Sequence, residues 1–147
     1  MLNIYSFLTE HGKLSDKHRE ELKTKRGFNE DTIKNNRFFS GGNYLLKIET
    51  ELISRFDKEH LLLSGVCNET GMKLTLSDQL TKDNIIIPYI NTEKQTTLLR
   101  AHKFGFTNVP IQIYQEANIF GKDIIITEGE FKAAAACQLG ISAIALP

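Results

Sequence analysis

The sequence predicts a mixed α and β fold, in which a region of short helices and a β-hairpin is followed by a β-α-β unit. A capped helical stretch at 14–25 and two strand-like runs at 85–90 and 96–101 support the first part. At 123–146 an apolar strand, a glycine turn, an alanine-rich helix and a second apolar strand follow one another. Such strands pair in parallel through a right-handed crossover.

The composition is that of an ordinary globular protein. The chain has 147 residues, 41% hydrophobic and 24% charged, and its formal net charge is zero. Because nucleic-acid-binding proteins often carry a basic excess, the total argues mildly against a large nucleic-acid surface. Basic residues do outnumber acidic ones at 13–26, where a solvated helix face is the simpler interpretation.

Cysteine use and hydropathy favour a cytoplasmic protein without a membrane segment. Cys67 and Cys137 are far apart and match no metal-binding spacing. Two lone thiols and no signal peptide favour a reducing compartment. No apolar run approaches the roughly 18 residues that span a bilayer.

Local signals place two helices in the first part of the chain. Ser15 is an N-cap for a helix that Gly27 ends. Asn29 caps a second short helix, whose acidic first turn suits the helix dipole. The first helix is therefore predicted with both ends defined, and the second with a defined start.

The middle of the chain is less clear. Residues 44–48 fit a strand or the start of a helix, and 49–64 show helical spacing before a short apolar run. Residues 65–71 predict a loop, and 109–114 predict a strand. Pro88, inside the first hairpin strand, indicates an edge or a strand end.

The turn after the apolar strand at 123–127 is the candidate site. Glu128 lies at the carboxyl end of that strand, where ligands gather in open parallel sheets. Gly129 permits close backbone approach, and the next helix presents free amides to an anion. Glu128 can serve as a general base or bind a hard cation such as Mg²⁺. An ordinary turn with an exposed acid explains the pattern as well.

The string IITEGEFKA at 125–133 resembles the first motif of the TOPRIM fold of bacterial-type primases, topoisomerases and related nucleases. The form Glu-Gly-Glu followed by Lys-Ala is more similar to phage and plasmid replication proteins, and the match extends to 147. The resemblance implies that Glu128 is catalytic and a magnesium ligand, and that Gly129 and Lys132 contact nucleotide or nucleic acid.

Residues 85–103 resemble the hairpin that precedes TOPRIM in such primases. Arg100 and Lys103 are expected on one exposed surface, where they contact phosphates. Solvated cations at a strand end explain these two residues equally well, and His102 between them fits a structural role better. A weaker match at 14–33 resembles the entry region of the same proteins.

One departure limits these expectations. The TOPRIM site also uses an Asp-x-Asp pair on a later strand, and this sequence contains none. Phosphoryl chemistry on metal ions needs several carboxylates. We therefore expect a primase-like region at 1–118 and an incomplete TOPRIM domain at 119–147, truncated inside the fold and inactive alone.

The leading interpretation is part of a primase-like replication protein of a phage, plasmid or other mobile element. The resemblance implies that the complete protein is a nucleotidyltransferase acting on single-stranded DNA and nucleotides with Mg²⁺, with a helicase as a further partner. Two alternatives stay open. One is a non-catalytic nucleic-acid-binding module, and the other is a different nucleotide-binding α/β domain whose acidic turn matches by chance.

Overall fold

The structure, a computed structural model, describes residues 3–102, 113–114 and 123–146. The described strands form three small sheets among short helices. The helices are α1 (Ile4–His11), α2 (Asp16–Arg26), α3 (Glu30–Asn35), α4 (Leu46–Arg55), α5 (Lys58–Leu63), α6 (Asp78–Thr81) and α7 (Glu130–Gln138), with a 3-10 turn at Asn43–Leu45. The strands are β1 (Phe39–Ser40), β2 (Cys67–Thr70), β3 (Lys73–Leu76), β4 (Ile85–Ile90), β5 (Thr96–Ala101), β6 (Ile125–Glu128) and β7 (Ala143–Leu146).

Helix α2 begins and ends, and helix α3 begins, where the capping residues predict. The side chain of Ser15 accepts a hydrogen bond from the His18 amide at the start of α2. Gly27 ends that helix in the left-handed conformation, with φ +69°. The side chain of Asn29 accepts a 2.8 Å hydrogen bond from the Thr32 amide and caps α3. Both predicted helices are confirmed.

The middle of the chain is helical up to residue 63, but the loop predicted at 65–71 is wrong. Residues 44–48 and 49–64 fall in the 3-10 turn, α4 and α5. In place of the loop, β2 pairs with β3 in an antiparallel hairpin that turns at Gly71. Only Cys67 of β2 is buried, and the other residues of the strand are polar and exposed. The sequence of β2 alone therefore resembles a loop, and the strand forms because it pairs with β3.

The antiparallel sheet has the order β1-β4-β5 and separates two hydrophobic cores. Side chains alternate across a strand, so Ile85, Ile87 and Tyr89 of β4 face one core, while Ile86 faces the other. The first core also holds side chains of α2, α3, α7 and β7, and the second holds those of α1, α4 and α5. The continuous apolar run of β4 therefore reflects burial on both faces.

Pro88 sits where β4 has a neighbour on one side only. It lies opposite Leu99 of β5, whereas β1 reaches only Ile85 and Ile86. Among the described residues, β4 is thus central at its start and an edge at Pro88. Proline has no amide hydrogen to donate, and on the open side of β4 no neighbouring strand requires one.

The β-α-β unit has the predicted parallel pairing, but its first strand is more exposed than its composition predicts. Strand β6 pairs with β7 in register, and Tyr114 forms a bridge to Ala145 on the other edge of β7. The side chain of Ile126 is 64% exposed. Among the described residues, β6 packs mainly on β7 and α7. Ile124, just before the strand, and Ile125 are 41% and 49% exposed, so these apolar side chains lack a second covering layer. The remainder of the strand predicted at 109–114 lies outside the described residues.

The β-α-β unit shares a core with the preceding region. Phe131 and Ala143 belong to the same cluster of buried residues as Leu22 and Ile87. The division of the chain at residue 118 stays a prediction, since this core extends across it. No helix in the part of the chain that the structure describes is long and apolar enough to cross a bilayer.

Candidate functional site

The turn between β6 and α7 places Glu128 at the carboxyl end of the parallel strand pair. Glu128 ends β6 opposite Leu146, and its side chain is 98% exposed. Gly129 follows with φ +79° and ψ 145°, a conformation that residues with a side chain rarely adopt. The carboxylate thus stands at the sheet edge where open parallel sheets bind ligands.

Lys132 is the cation nearest to Glu128 among the described ion pairs. Its Nζ lies 3.9 Å from Oε2 of Glu128, one helical turn away, and its own side chain is 70% exposed. An exposed pair of this length is weak because water screens it. Both side chains therefore remain available to a ligand.

The second acid of the turn, Glu130, has the opposite environment. It is the first residue of α7, and its side chain is 6% exposed. Its Oε1 accepts a 2.8 Å hydrogen bond from Oη of Tyr89 and forms an ion pair with Nη1 of Arg100. Burial, and after it the Glu130 carboxylate, raises the pKa of Tyr89. Burying a carboxylate is costly unless it is paired, so these three residues form one unit, the Glu130 triad.

A second group of side chains, those of Arg26 and His102, packs on Phe131, the next residue of α7. The guanidinium carbon of Arg26 lies 4.9 Å from the Phe131 ring centroid, and the His102 ring centroid lies 4.5 Å from it. Nη2 of Arg26 lies 3.3 Å from Nε2 of His102. Burial, and after it the charge of Arg26, lowers the pKa of His102. The lowered pKa favours the neutral imidazole, which can accept a hydrogen bond from the Arg26 guanidinium.

We call Arg26, Lys132 and the His102 ring, around the first turn of α7, the basic surface; its two cations are Arg26, packed on Phe131, and Lys132, the next residue of the helix. The exposed carboxylate of Glu128 lies at the same turn. Arg26 adds a guanidinium that can bind a phosphate bidentately, and Lys132 adds a point charge. A groove of about 570 Å³ lies elsewhere, between α1, α2 and α3.

The residues expected from the sequence to contact phosphate are not equally exposed. Arg100 was expected on an open surface, but its side chain is only 22% exposed because it is bound to Glu130. Lys103 lies outside the described residues. Gly129 and Lys132 lie beside Glu128, as expected from their positions in the turn. Arg100 is covered because it binds Glu130, which lies 30 positions later in the chain, and local sequence patterns do not reveal such a partner.

Sequence reasoning missed Glu130 and Tyr89 as parts of the site. Glu130 was read only as part of the turn, and Tyr89 only as a strand residue. A signal was present, because an arginine follows two leucines in the second hairpin strand and α7 begins with an acid. Pairing the two requires knowing that the hairpin packs against the start of α7.

The described residues do not by themselves fit a magnesium site. No group of three histidine, cysteine or acidic residues comes together within the described ranges. Glu128 offers a single free carboxylate, and the neighbouring carboxylate of Glu130 is bound by Tyr89 and Arg100. Magnesium bound here would keep most of its ligands as water.

No family model and no curated protein matches this chain. Solved structures do match it, and several of them are primase domains. The chain is similar to the catalytic domain of DnaG primase bound to single-stranded DNA, with a TM-score of 0.68 and 13% identity over 97% of this chain and 53% of that one.

Two further primase structures give the same result. The RNA polymerase domain of Mycobacterium tuberculosis DnaG matches with a TM-score of 0.70 and 11% identity, over 97% of this chain and 54% of that one. A DNA primase domain from Pseudomonas aeruginosa matches with 0.62 and 17%, over 97% and 53%. The chain thus spans about half the length of these domains. The predicted fold class is confirmed: a mixed α/β arrangement with the fold of TOPRIM-containing primase domains.

Proposed function

We propose that this chain is part of a DNA primase-like replication protein and that it binds single-stranded DNA over the basic surface. The observation that carries the proposal is the position of Glu128. Its exposed carboxylate ends a parallel strand, with Lys132 3.9 Å away, in the fold of primase domains. A solved relative with this fold is bound to single-stranded DNA, which supports the same ligand class here.

The charges around α7 supply the contacts that a phosphate backbone requires. Arg26 is exposed, and stacking on Phe131 fixes its guanidinium. Lys132 adds a cation on the exposed side of α7. Lys103 is proposed as a third contact because it follows His102 in the sequence. Arg100 contributes by binding Glu130, because its own side chain is largely covered.

Salt-dependent binding of a fluorescent oligo(dT) tests this proposal. Each lost phosphate contact should lower the slope of log K against log salt by about 0.7, the value for single strands. We expect Lys132→Ala and Arg26→Gln each to weaken binding with this change in slope. Lys47→Ala is the matched control, because Lys47 is an exposed cation on α4. Equal slopes in the wild-type chain and all three variants would overturn the proposal.

The finer parts of the proposal concern the complete protein. We infer nucleotidyl transfer with Mg²⁺, in which Glu128 is catalytic and one of several metal ligands, and a helicase partner. The Glu-Gly-Glu string supports a phage or plasmid origin. In the complete protein, Glu128→Gln should abolish primer synthesis and leave the fold intact, because the swap is nearly isosteric and the side chain is exposed.

A non-catalytic binding module is the second candidate. It is favoured by the single free carboxylate that the described residues provide at the turn. A primer-synthesis assay on the 147-residue chain with magnesium, nucleotides and template addresses this point. We expect no product, and template-dependent product would show that the chain is catalytic by itself.

A further inference from the structure

The carboxylate of Glu130 joins the β-α-β unit to both strands of the hairpin. Tyr89 belongs to β4 and Arg100 to β5, and both bind the same oxygen, Oε1. Glu130 itself begins α7, only two residues after Glu128. The contacts therefore act at the turn that carries the exposed acid.

The side chain of Glu128 has few contacts that fix its position. Its side chain is 98% exposed, and its ion pair with Lys132 is 3.9 Å long. Gly129 adds a flexible backbone position, with no atom within 4 Å of where a side chain would begin. The pairing of β6 with β7 holds the backbone before the turn, and the Thr127 hydroxyl donates a 3.4 Å hydrogen bond to the Gly129 carbonyl oxygen. On the other side of the turn, Glu130 supplies the buried, charge-assisted contacts.

We propose that Glu130 is a positioning residue, which holds the Glu128 turn against the hairpin by binding Tyr89 and Arg100. This inference rests on the proposed function, because the position of Glu128 matters only if the turn faces nucleic acid. Arg100 is then the counter-ion of Glu130 in the free chain. The low exposure of its side chain, 22%, agrees with that role.

Hydrogen–deuterium exchange of the 147-residue chain tests the proposal without any ligand. Glu130→Gln keeps the shape and an acceptor for Tyr89 but removes the charge that Arg100 binds. Peptides covering 125–135 should exchange about tenfold faster, the factor that loss of a hydrogen bond to a charged group gives. Peptides of α4 should not change. Glu93→Gln is the matched control, since Glu93 is exposed in the hairpin turn.

A second arm adds oligo(dT), to separate positioning from a general structural role. In the wild-type chain we expect protection at residue 26 and at the Glu128 turn. In Glu130→Gln, protection at residue 26 should remain and protection at the turn should be lost. A general loss of structure would remove both together.

Two results would overturn the proposal: unchanged exchange at the turn, or a rise of the same size in α4. If Glu130→Gln does not fold, Tyr89→Phe replaces it, because this variant keeps the ion pair and should loosen the same peptides to a smaller extent. A wild-type chain that oligo(dT) does not protect contradicts the proposed function alone. The ligand-free arm still decides whether Glu130 holds the turn.

Discussion

At the scale of single residues, the two glutamates of one turn have different environments. Glu128 is 98% exposed, whereas the Glu130 side chain is 6% exposed and bound by Tyr89 and Arg100. The sequence predicted the position of Glu128 because the end of an apolar strand is a local feature. It did not predict the burial of Glu130, because both of its partners lie 30 or more positions earlier in the chain.

His102 makes stability depend on pH. Burial and the Arg26 charge lower its folded-state pKa from the usual 6.5. Between the lowered folded value and 6.5, the unfolded chain binds more protons, so stability rises with pH in this window and is lost as pH falls through it. We expect urea unfolding to show a smaller loss of stability from pH 7 to pH 5 in His102→Gln than in the wild-type chain. An identical pH dependence would contradict this account.

At the scale of helices and strands, local signals predicted the ends of elements better than their surroundings. Ser15, Gly27 and Asn29 mark helix ends through hydrogen bonds within a few residues. Strand β2 was missed because its pairing depends on β3. The exposure of β6 was also missed, because an apolar sequence indicates a capacity for burial and the covering layer comes from elsewhere.

The turn before α7 requires glycine for conformational reasons alone. A methyl group at Gly129 would meet no atom within 4 Å, yet φ +79° with ψ 145° is a region that residues with side chains avoid. Gly129→Ala should cost about 1–3 kcal/mol of unfolding free energy. Gly27→Ala is the control, because its left-handed conformation is more accessible to alanine and equally open. Equal costs in urea denaturation would contradict the prediction.

A matched pair of isoleucines tests the exposure of β6. Ile126 and Ile144 are register partners on adjacent strands, but they are 64% and 8% exposed. Ile144→Val should lower the unfolding free energy by about 0.5–1.5 kcal/mol. Ile126→Val should change it by less than about 0.5 kcal/mol, as for other surface substitutions. Similar losses in both variants would mean that β6 is covered in solution.

At the scale of the whole molecule, one sheet organises both cores and the site. The two faces of β4 and β5 serve different cores, and the same hairpin supplies Tyr89 and Arg100 to Glu130. The sequence predicted the order of hairpin, strand, turn and helix. It did not predict their packing, because contacts across some 30 to 40 positions have no local signature.

The most direct test of the central claim is the location of bound single-stranded DNA. Photo-cross-linking of a 4-thiothymidine oligonucleotide to the 147-residue chain, followed by peptide mass spectrometry, identifies the contacted segments. We predict cross-links at residue 26, at residues 102–103 and between 128 and 132, reduced by high salt. Cross-links confined to α4 and α5, or spread without preference over the chain, would contradict a nucleic-acid-binding surface around the Glu128 turn.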